Sequence, residues 1–185
     1  MLNGTKIKLR GKRLEDAWDD YVWQSDPELT RLDAAPQVTT IFPQYLSLYA
    51  SNLRHQAPVR RLLSIETLNG THIGNCSFYN IDESKGEVEL GIMIGNRHYW
   101  DKGYGTDAVT TLVNDIFHQT NLKRIYLKTL DSNHRAQKCF LKCGFTHYGY
   151  LNKDGYRFVL MELHRKQWEG VNTKGELTRG EASLE

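Results

Sequence analysis

Residues Thr5 to Arg10 alternate polar and apolar side chains, and this period of two predicts a first strand that presents Ile7 and Leu9 to a core. The period then lengthens. Between Leu14 and Leu32 the apolar positions Leu14, Ala17, Trp18, Tyr21 and Val22 recur at helical spacing, and Pro27, directly after Asp26, suits the first turn of a second short helix. Phe42-Pro43 opens a further helical stretch with Tyr45, Leu46, Leu48, Tyr49 and Leu53 on its apolar side, predicted to end before Pro58.

The middle of the chain returns to strand periodicity over Arg61–Leu68, Thr71–Ile81 and Glu87–Ile94, which predicts two successive hairpins. Asn69-Gly70 is the pair expected in a tight type I′ turn, and the second connection, Asp82–Gly86, is looser. Within Glu87–Ile94, Val88, Leu90, Ile92 and Ile94 share one face, so Glu87, Glu89, Gly91 and Met93 share the other. Gly105–Thr120 carries an apolar stripe (Ala108, Val109, Leu112, Val113, Ile116, Phe117) and reads as an amphipathic helix. A strand over Arg124–Thr129 follows, then a helix over Ser132–Cys143 with Gly144 as its terminator, then a strand pair, Phe145–Tyr150 and Tyr156–Leu163, around Asn152–Gly155.

Length and composition fit this outline. A chain of 185 residues, 39% hydrophobic and 25% charged, is sized for one domain with a real core, placed at residues 1–170; Val171 to Glu185 is polar and aperiodic and reads as a disordered tail. A net charge of +2 argues against a nucleic-acid binder. No stretch has the apolar length of a membrane span and the first residues lack a signal-peptide pattern, so neither membrane nor export is expected and the protein is placed in the cytoplasm. The three cysteines, Cys76, Cys139 and Cys143, form no C-x-x-C pair and read as reduced packing residues; the scattered histidines show no ligand spacing, so no metal is expected.

Candidate chemistry concentrates in Ile94–Ala108, where a strand end passes through a loop with Gly103 and Gly105 straight into a helix. Backbone N–H groups at such a junction lack intrahelical partners and, with the helix dipole, attract an anion. A P-loop needs Lys and then Ser or Thr after its last glycine, whereas Thr106-Asp107 follow Gly105. Gly103-Tyr-Gly-Thr-Asp-Ala108 does fit the dinucleotide pattern, with Asp131 as the ribose acid, but about eight residues separate the strand from Gly103 and the preceding strands are hairpin-linked. For an isolated G-x-G, plain turn chemistry is the ordinary explanation.

Trp100-Asp-Lys-Gly103-Tyr-Gly105 also resembles the acyl-CoA pyrophosphate loop of the GNAT N-acetyltransferase superfamily, whose pattern is Arg or Gln, two residues, Gly, one residue, then Gly or Ala. Asn133-His-Arg-Ala136, running to Phe140 and Gly144-Phe145, is similar to a second element of that family. The order of elements matches along nearly the whole chain, and the subgroup with the ribosomal-protein N-terminal acetyltransferases looks nearest. The resemblance implies a mixed α+β fold with a central, twisted, mostly antiparallel sheet of about seven strands flanked by helices. It implies N-acetyl transfer from acetyl-CoA to a primary amine, either a protein N-terminus or a small molecule such as a polyamine, amino acid or aminoglycoside, by direct transfer in a ternary complex. Dimers are common in the family.

By the same resemblance, the pyrophosphate sits on the amides of Trp100, Asp101, Lys102, Gly103, Tyr104, Gly105 and Thr106. The pantetheine pairs with the backbone at Ile92 and Ile94, Met93 offers an amide to the oxyanion, and Asn133 bonds the pantetheine arm. Arg97 and Lys102 are candidate phosphate partners, and Trp23, Asp26, Glu28 and Tyr45 fall in the helices that flank the acceptor groove. An ammonium with a pKa of about 10 has no lone pair, so a base is required, and Glu89 is the first candidate, ahead of Glu87. Two positions depart from the pattern: Trp100 replaces Arg or Gln, and Phe140 replaces the tyrosine that often protonates the leaving thiolate. Cys139, His134, water or no acid at all could serve instead, and a catalytically silent acyl-CoA-binding module is the alternative of a different class.

Overall fold

In this computed structural model, residues 1–55 and 61–170 are described. In chain order the elements are β1 (Leu2–Asn3), β2 (Ile7–Gly11), α1 (Ala17–Ser25), α2 (Pro27–Leu32), α3 (Phe42–Arg54), β3 (Arg61–Thr67), β4 (His72–Asp82), β5 (Glu87–Ile94), α4 (Tyr104–Gln119), β6 (Arg124–Leu130), α5 (His134–Lys142), β7 (Thr146–Lys153) and β8 (Tyr156–His164). The strands form one sheet in the order β1-β2-β3-β4-β5-β6-β8-β7. The fold is thus mixed α+β with a mostly antiparallel sheet, as expected. The polar tail read from Val171 onward lies outside the described residues.

Among the described residues the β5–β6 contact is the parallel one, and it lasts only for Glu87↔Arg124, Val88↔Ile125 and Glu89↔Tyr126. Beyond Glu89, β5 stays with β4 up to Gly74↔Ile94, while β6 stays with β8 up to Leu130↔Phe158. The sheet therefore splits into a wedge, and the last residues of β5 face it with a backbone edge that no strand pairs.

A single apolar cluster fixes this geometry. The stripe of α4 (Ala108, Val109, Leu112, Val113, Ile116, Phe117) is fully or almost fully buried against Ile7, Leu9, Val88, Leu90, Ile125, Leu127 and Met161. Each of the larger side chains contributes about 1.5–3 kcal/mol by leaving water. The stripe holds α4 across the sheet with its N-terminus at the wedge.

The helices α1 and α3 are tied down differently. Arg10 grips Asp16 through both terminal nitrogens (2.8 and 2.7 Å) and Glu66 through Nε (2.6 Å), and Ser64 and the Arg13 amide also donate to Asp16 (2.7 and 2.8 Å). Lys12 Nζ lies 2.5 Å from Asp20, which accepts from Tyr49 (3.0 Å) and Asn75 (2.6 Å). Buried charges survive only when paired like this. The polar side of β2, read from its alternation, is therefore roofed by a buried ionic network.

Three details differ from the sequence reading. A strand too short to show a period, β1, pairs Leu2↔Leu9 and Asn3↔Lys8 and makes eight strands. The Asn69-Gly70 turn is not type I′: positive φ falls on Gly70 (86°) and not on Asn69, and Gly70 N donates to Thr67 O (2.9 Å) while Thr67 N donates to Thr71 O (2.9 Å), the pattern of a type I turn closed by a left-handed glycine. The type I′ geometry belongs to Asp154 (52°) and Gly155 (78°), between the paired Lys153 and Tyr156.

Candidate active site

At the mouth of the wedge, β5 ends against α1. A Cβ on Gly95 would lie 2.0 Å from the Trp23 indole, so glycine is needed for the backbone to pass. The chain turns through Trp100, whose Nε1 donates to Ile94 O (2.7 Å), then through Asp101 (φ 55°) and Gly103 (φ 84°), and enters α4. No side chain among the described residues caps α4. The amides of its first turn, which no helical carbonyl can satisfy, are thus aimed at the wedge. Asp107 faces away: its carboxylate accepts from the amides of Thr5 (3.0 Å), Lys6 (2.7 Å) and Ile7 (3.1 Å) and locks the turn before β2 onto α4.

A cavity of about 320 Å³ fills this space. Of the residues expected to hold a cofactor, Ile92, Met93, Ile94, Trp100, Asp101, Gly103, Gly105, Thr106 and Asn133 line it together. Lys102 and Tyr104 do not; the Lys102 carbonyl accepts from Lys6 Nζ (2.9 Å), and Tyr104 packs edge-on against Tyr99. A Cβ on Gly105 would make only ordinary contacts with Cys139 (3.5 Å) and Ile94 (3.7 Å), so glycine there serves to keep the floor low rather than to relieve strain. Asn133 caps α5 by accepting from Ala136 N (3.2 Å), which leaves its amide donors for a ligand.

Positive charge in the cavity wall comes from α5, where Arg135, Lys138 and Lys142 line the space, and Asp33 and Asp101 add negative charge. Arg135 stacks on the Trp100 ring, 3.2 Å from its centroid, and burial pulls its pKa below the ordinary guanidinium value while Asp101 and Glu28 oppose the shift. Sequence reasoning missed these three residues; their signal was a basic stripe at i, i+3 and i+7 beside the apolar stripe of the same helix. Arg97, expected at a phosphate, is engaged by Asp26 (2.9 Å) and Glu28 (2.8 Å). Trp23 packs on His72 of β4, and Tyr45 accepts from Gln24 (3.0 Å), so Tyr45 joins α3 to α1, Trp23 seats α1 on the sheet, and Asp26 and Glu28 hold the segment after β5.

Glu89 is on the opposite face of β5 from Val88 and Leu90 and is outside the cavity lining, yet it is only 5% exposed. Tyr79 (3.1 Å) and Lys128 (2.5 Å) donate to Oε1, and Asn80 (2.8 Å) donates to Oε2. Asn80 reaches it from a bulge in β4, with φ 53°. A carboxylate offers about four acceptor sites; three are taken, and the charge is held in one orientation. Glu87 is instead shared with Arg124 (2.7 Å). Phe140 is buried in the cavity wall against Phe145 and offers no proton, whereas Cys139, its neighbour, lines the cavity beside Thr106.

The profile of the acetyltransferase (GNAT) domain family matches residues 6–146. The chain belongs to this family. An uncharacterized N-acetyltransferase, p20, of Bacillus licheniformis is 29% identical over 147 residues, covering 79% of this chain and 82% of that protein. A probable spermine N(1)-acetyltransferase of Bacillus subtilis subsp. natto is 29% identical over 85 residues, 46% of this chain and 56% of its own length. Among solved structures, a spermidine N-acetyltransferase from Vibrio cholerae in complex with CoA and spermine superposes with a TM-score of 0.76 at 18% identity, covering 89% of this chain and 98% of that one. An aminoglycoside acetyltransferase in complex with coenzyme A gives 0.74 at 22% identity, covering 90% and 99%. These neighbours share the GNAT fold. None of these relatives carries a name from the ribosomal-protein subgroup that the sequence resemblance favoured. As a GNAT acetyltransferase, the protein is an enzyme of acetyl transfer, and no helix among the described residues is long and apolar enough to cross a membrane.

Proposed function

We propose that residues 1–170 act as one unit that moves an acetyl group from acetyl-CoA to the primary amine of a small cationic molecule, of the polyamine or aminoglycoside class, by direct transfer. The observation that carries the reading is the wedge between β5 and β6, which has on one side a strand edge that no other strand pairs and the uncapped N-terminus of α4 as its floor. These residues fit the cofactor. Amides from Trp100 to Thr106 suit a pyrophosphate, the edge at Ile92 and Ile94 suits an extended amide arm, and Arg135, Lys138 and Lys142 supply positive charge to phosphates. When bound, acetyl-CoA supplies an activated thioester.

The chain's own task is then to present an uncharged amine. Glu89 is the proposed base: it accepts from Lys128 and retains one acceptor site, through which a proton reaches it directly or by one water. With phenylalanine at position 140, a thiol-like leaving group departs without a tyrosine proton. A small acceptor is favoured over a protein N-terminus because the spermine and spermidine enzymes are among the relatives and the neighbours include aminoglycoside acetyltransferases.

The test is release of free CoA from acetyl-CoA with spermine, spermidine, an aminoglycoside and an N-terminal peptide as acceptors. Turnover is expected with one of the small amines. Turnover confined to the peptide would restore the N-terminal reading, and cofactor binding without turnover on the whole panel would identify a silent module.

A further inference from the structure

Alternation along β4 breaks where the strand passes Glu89. Tyr79 pairs with Glu89 and Asp82 with Glu87, so Asn80 and Ile81 together oppose Val88. Two residues against one make a β-bulge, and Asn80, its first residue, takes φ 53°. When the first residue of a bulge is left-handed it is ordinarily glycine, which adopts that φ without steric cost. Here asparagine takes its place. Successive side chains of a regular strand point to opposite faces, so without the bulge Tyr79 and Asn80 could not reach the same carboxylate. The bulge turns Asn80 to the face of Tyr79: Tyr79 Oη donates to Glu89 Oε1 (3.1 Å) and Asn80 Nδ2 donates to Oε2 (2.8 Å). It also returns Ile81 to the other face, where that side chain packs against the core. From β6, Lys128 donates to Oε1 (2.5 Å). With about two acceptor sites on each oxygen, Oε1 is filled by Tyr79 and Lys128, and the open site lies on Oε2, the oxygen that Asn80 holds.

We propose that Asn80 is a positioning residue, delivered by the β4 bulge, that fixes the direction in which Glu89 offers its open acceptor site to the amine. The inference rests on the reading of Glu89 as the base. The terminal torsion of a glutamate is broad, so a carboxylate anchored at one oxygen turns about that anchor. Tyr79 and Lys128 both hold Oε1 and leave this turn free; Asn80 holds the other oxygen and stops it. The backbone of the bulge has no need of the carboxamide, since glycine suits its φ better. What asparagine adds at this position is the bond to Oε2.

The experiment compares the full-length wild type with Asn80→Gly, which keeps the bulge and removes the amide, with Asn80→Asp, which keeps the shape and removes the donor, and with Glu89→Gln alone and combined with Asn80→Gly. CoA release is followed from acetyl-CoA with spermine, spermidine, an aminoglycoside and an N-terminal peptide. In Asn80→Gly, kcat is expected to fall about tenfold while the KM values for acetyl-CoA and amine stay within about twofold. Asn80→Asp is expected to fall at least as far. On the Glu89→Gln background, Asn80→Gly is expected to add nothing, because it acts through that carboxylate. Wild-type kcat in Asn80→Gly beside a slow Glu89→Gln means that the asparagine serves only the backbone, and it overturns this inference alone. A tenfold loss that persists on the Glu89→Gln background does the same. Full rate in Glu89→Gln, or no turnover by the wild type on any of the four amines, removes the base reading and this inference with it.

Discussion

Glu89 shows what a single residue owes to its surroundings. Alternation puts it on the face opposite Val88 and Leu90, and there the β4 bulge, Tyr79, Asn80 and Lys128 enclose it. Glu89→Gln keeps the shape and removes the proposed base, and Lys128 is exposed enough for water to hold the freed ammonium, so the fold should persist. A fall in kcat/KM of about 100-fold is expected with acetyl-CoA affinity changed less than about threefold; a fall below threefold would remove Glu89 from the mechanism. Asp16 is its structural counterpart. Burial raises its pKa, but bonds from Arg10, Ser64 and the Arg13 amide outweigh that and hold it well below the usual carboxylate range. A folded pKa below the unfolded value of about 3.9 means that its contribution is complete above that pH and is lost as pH falls further. Denaturant titrations should therefore show a decline setting in below about pH 4, and Asp16→Asn, which leaves Arg10 buried without its bidentate partner, should show about 3 kcal/mol less stability at neutral pH.

At the level of elements, the helices and strands that bury one face were legible because burial imposes a period: the stripe of α4 and the alternation of β5 stand in the structure where the sequence placed them. Elements without a period were not legible, β1 among them. Turn chemistry was legible in type but not in place, since Asn69-Gly70 and Asp154-Gly155 carry comparable signals and only the second takes the mirror-image turn. Contacts across the sheet, such as Arg135 on Trp100 or Lys128 on Glu89, join residues far apart in sequence and leave no local trace. Gly95 is another such case, because only its proximity to Trp23 explains the glycine. Gly95→Ala forces a methyl group into the indole and should lower stability by about 1–3 kcal/mol. Thermal unfolding would show it as a drop of several degrees; an unchanged midpoint would mean that α1 does not seat on the end of β5 as described.

For the whole molecule, the decisive feature is that the sheet splits. One short parallel pairing followed by divergence gives the wedge, the apolar stripe of α4 places a helix N-terminus at its floor, and the buried ionic network fixes the helices that wall its mouth. None of these is a catalytic group, yet together they create the cavity proposed as the meeting place of cofactor and amine. Calorimetric titration of acetyl-CoA into the wild type and into Gly105→Glu tests that placement most directly. A side chain at Gly105 meets only ordinary contacts, so the variant should fold, but its carboxylate enters the space proposed for the pyrophosphate. The account predicts binding by the wild type and none by the variant. No binding by folded wild type, or equal binding by both, would contradict it.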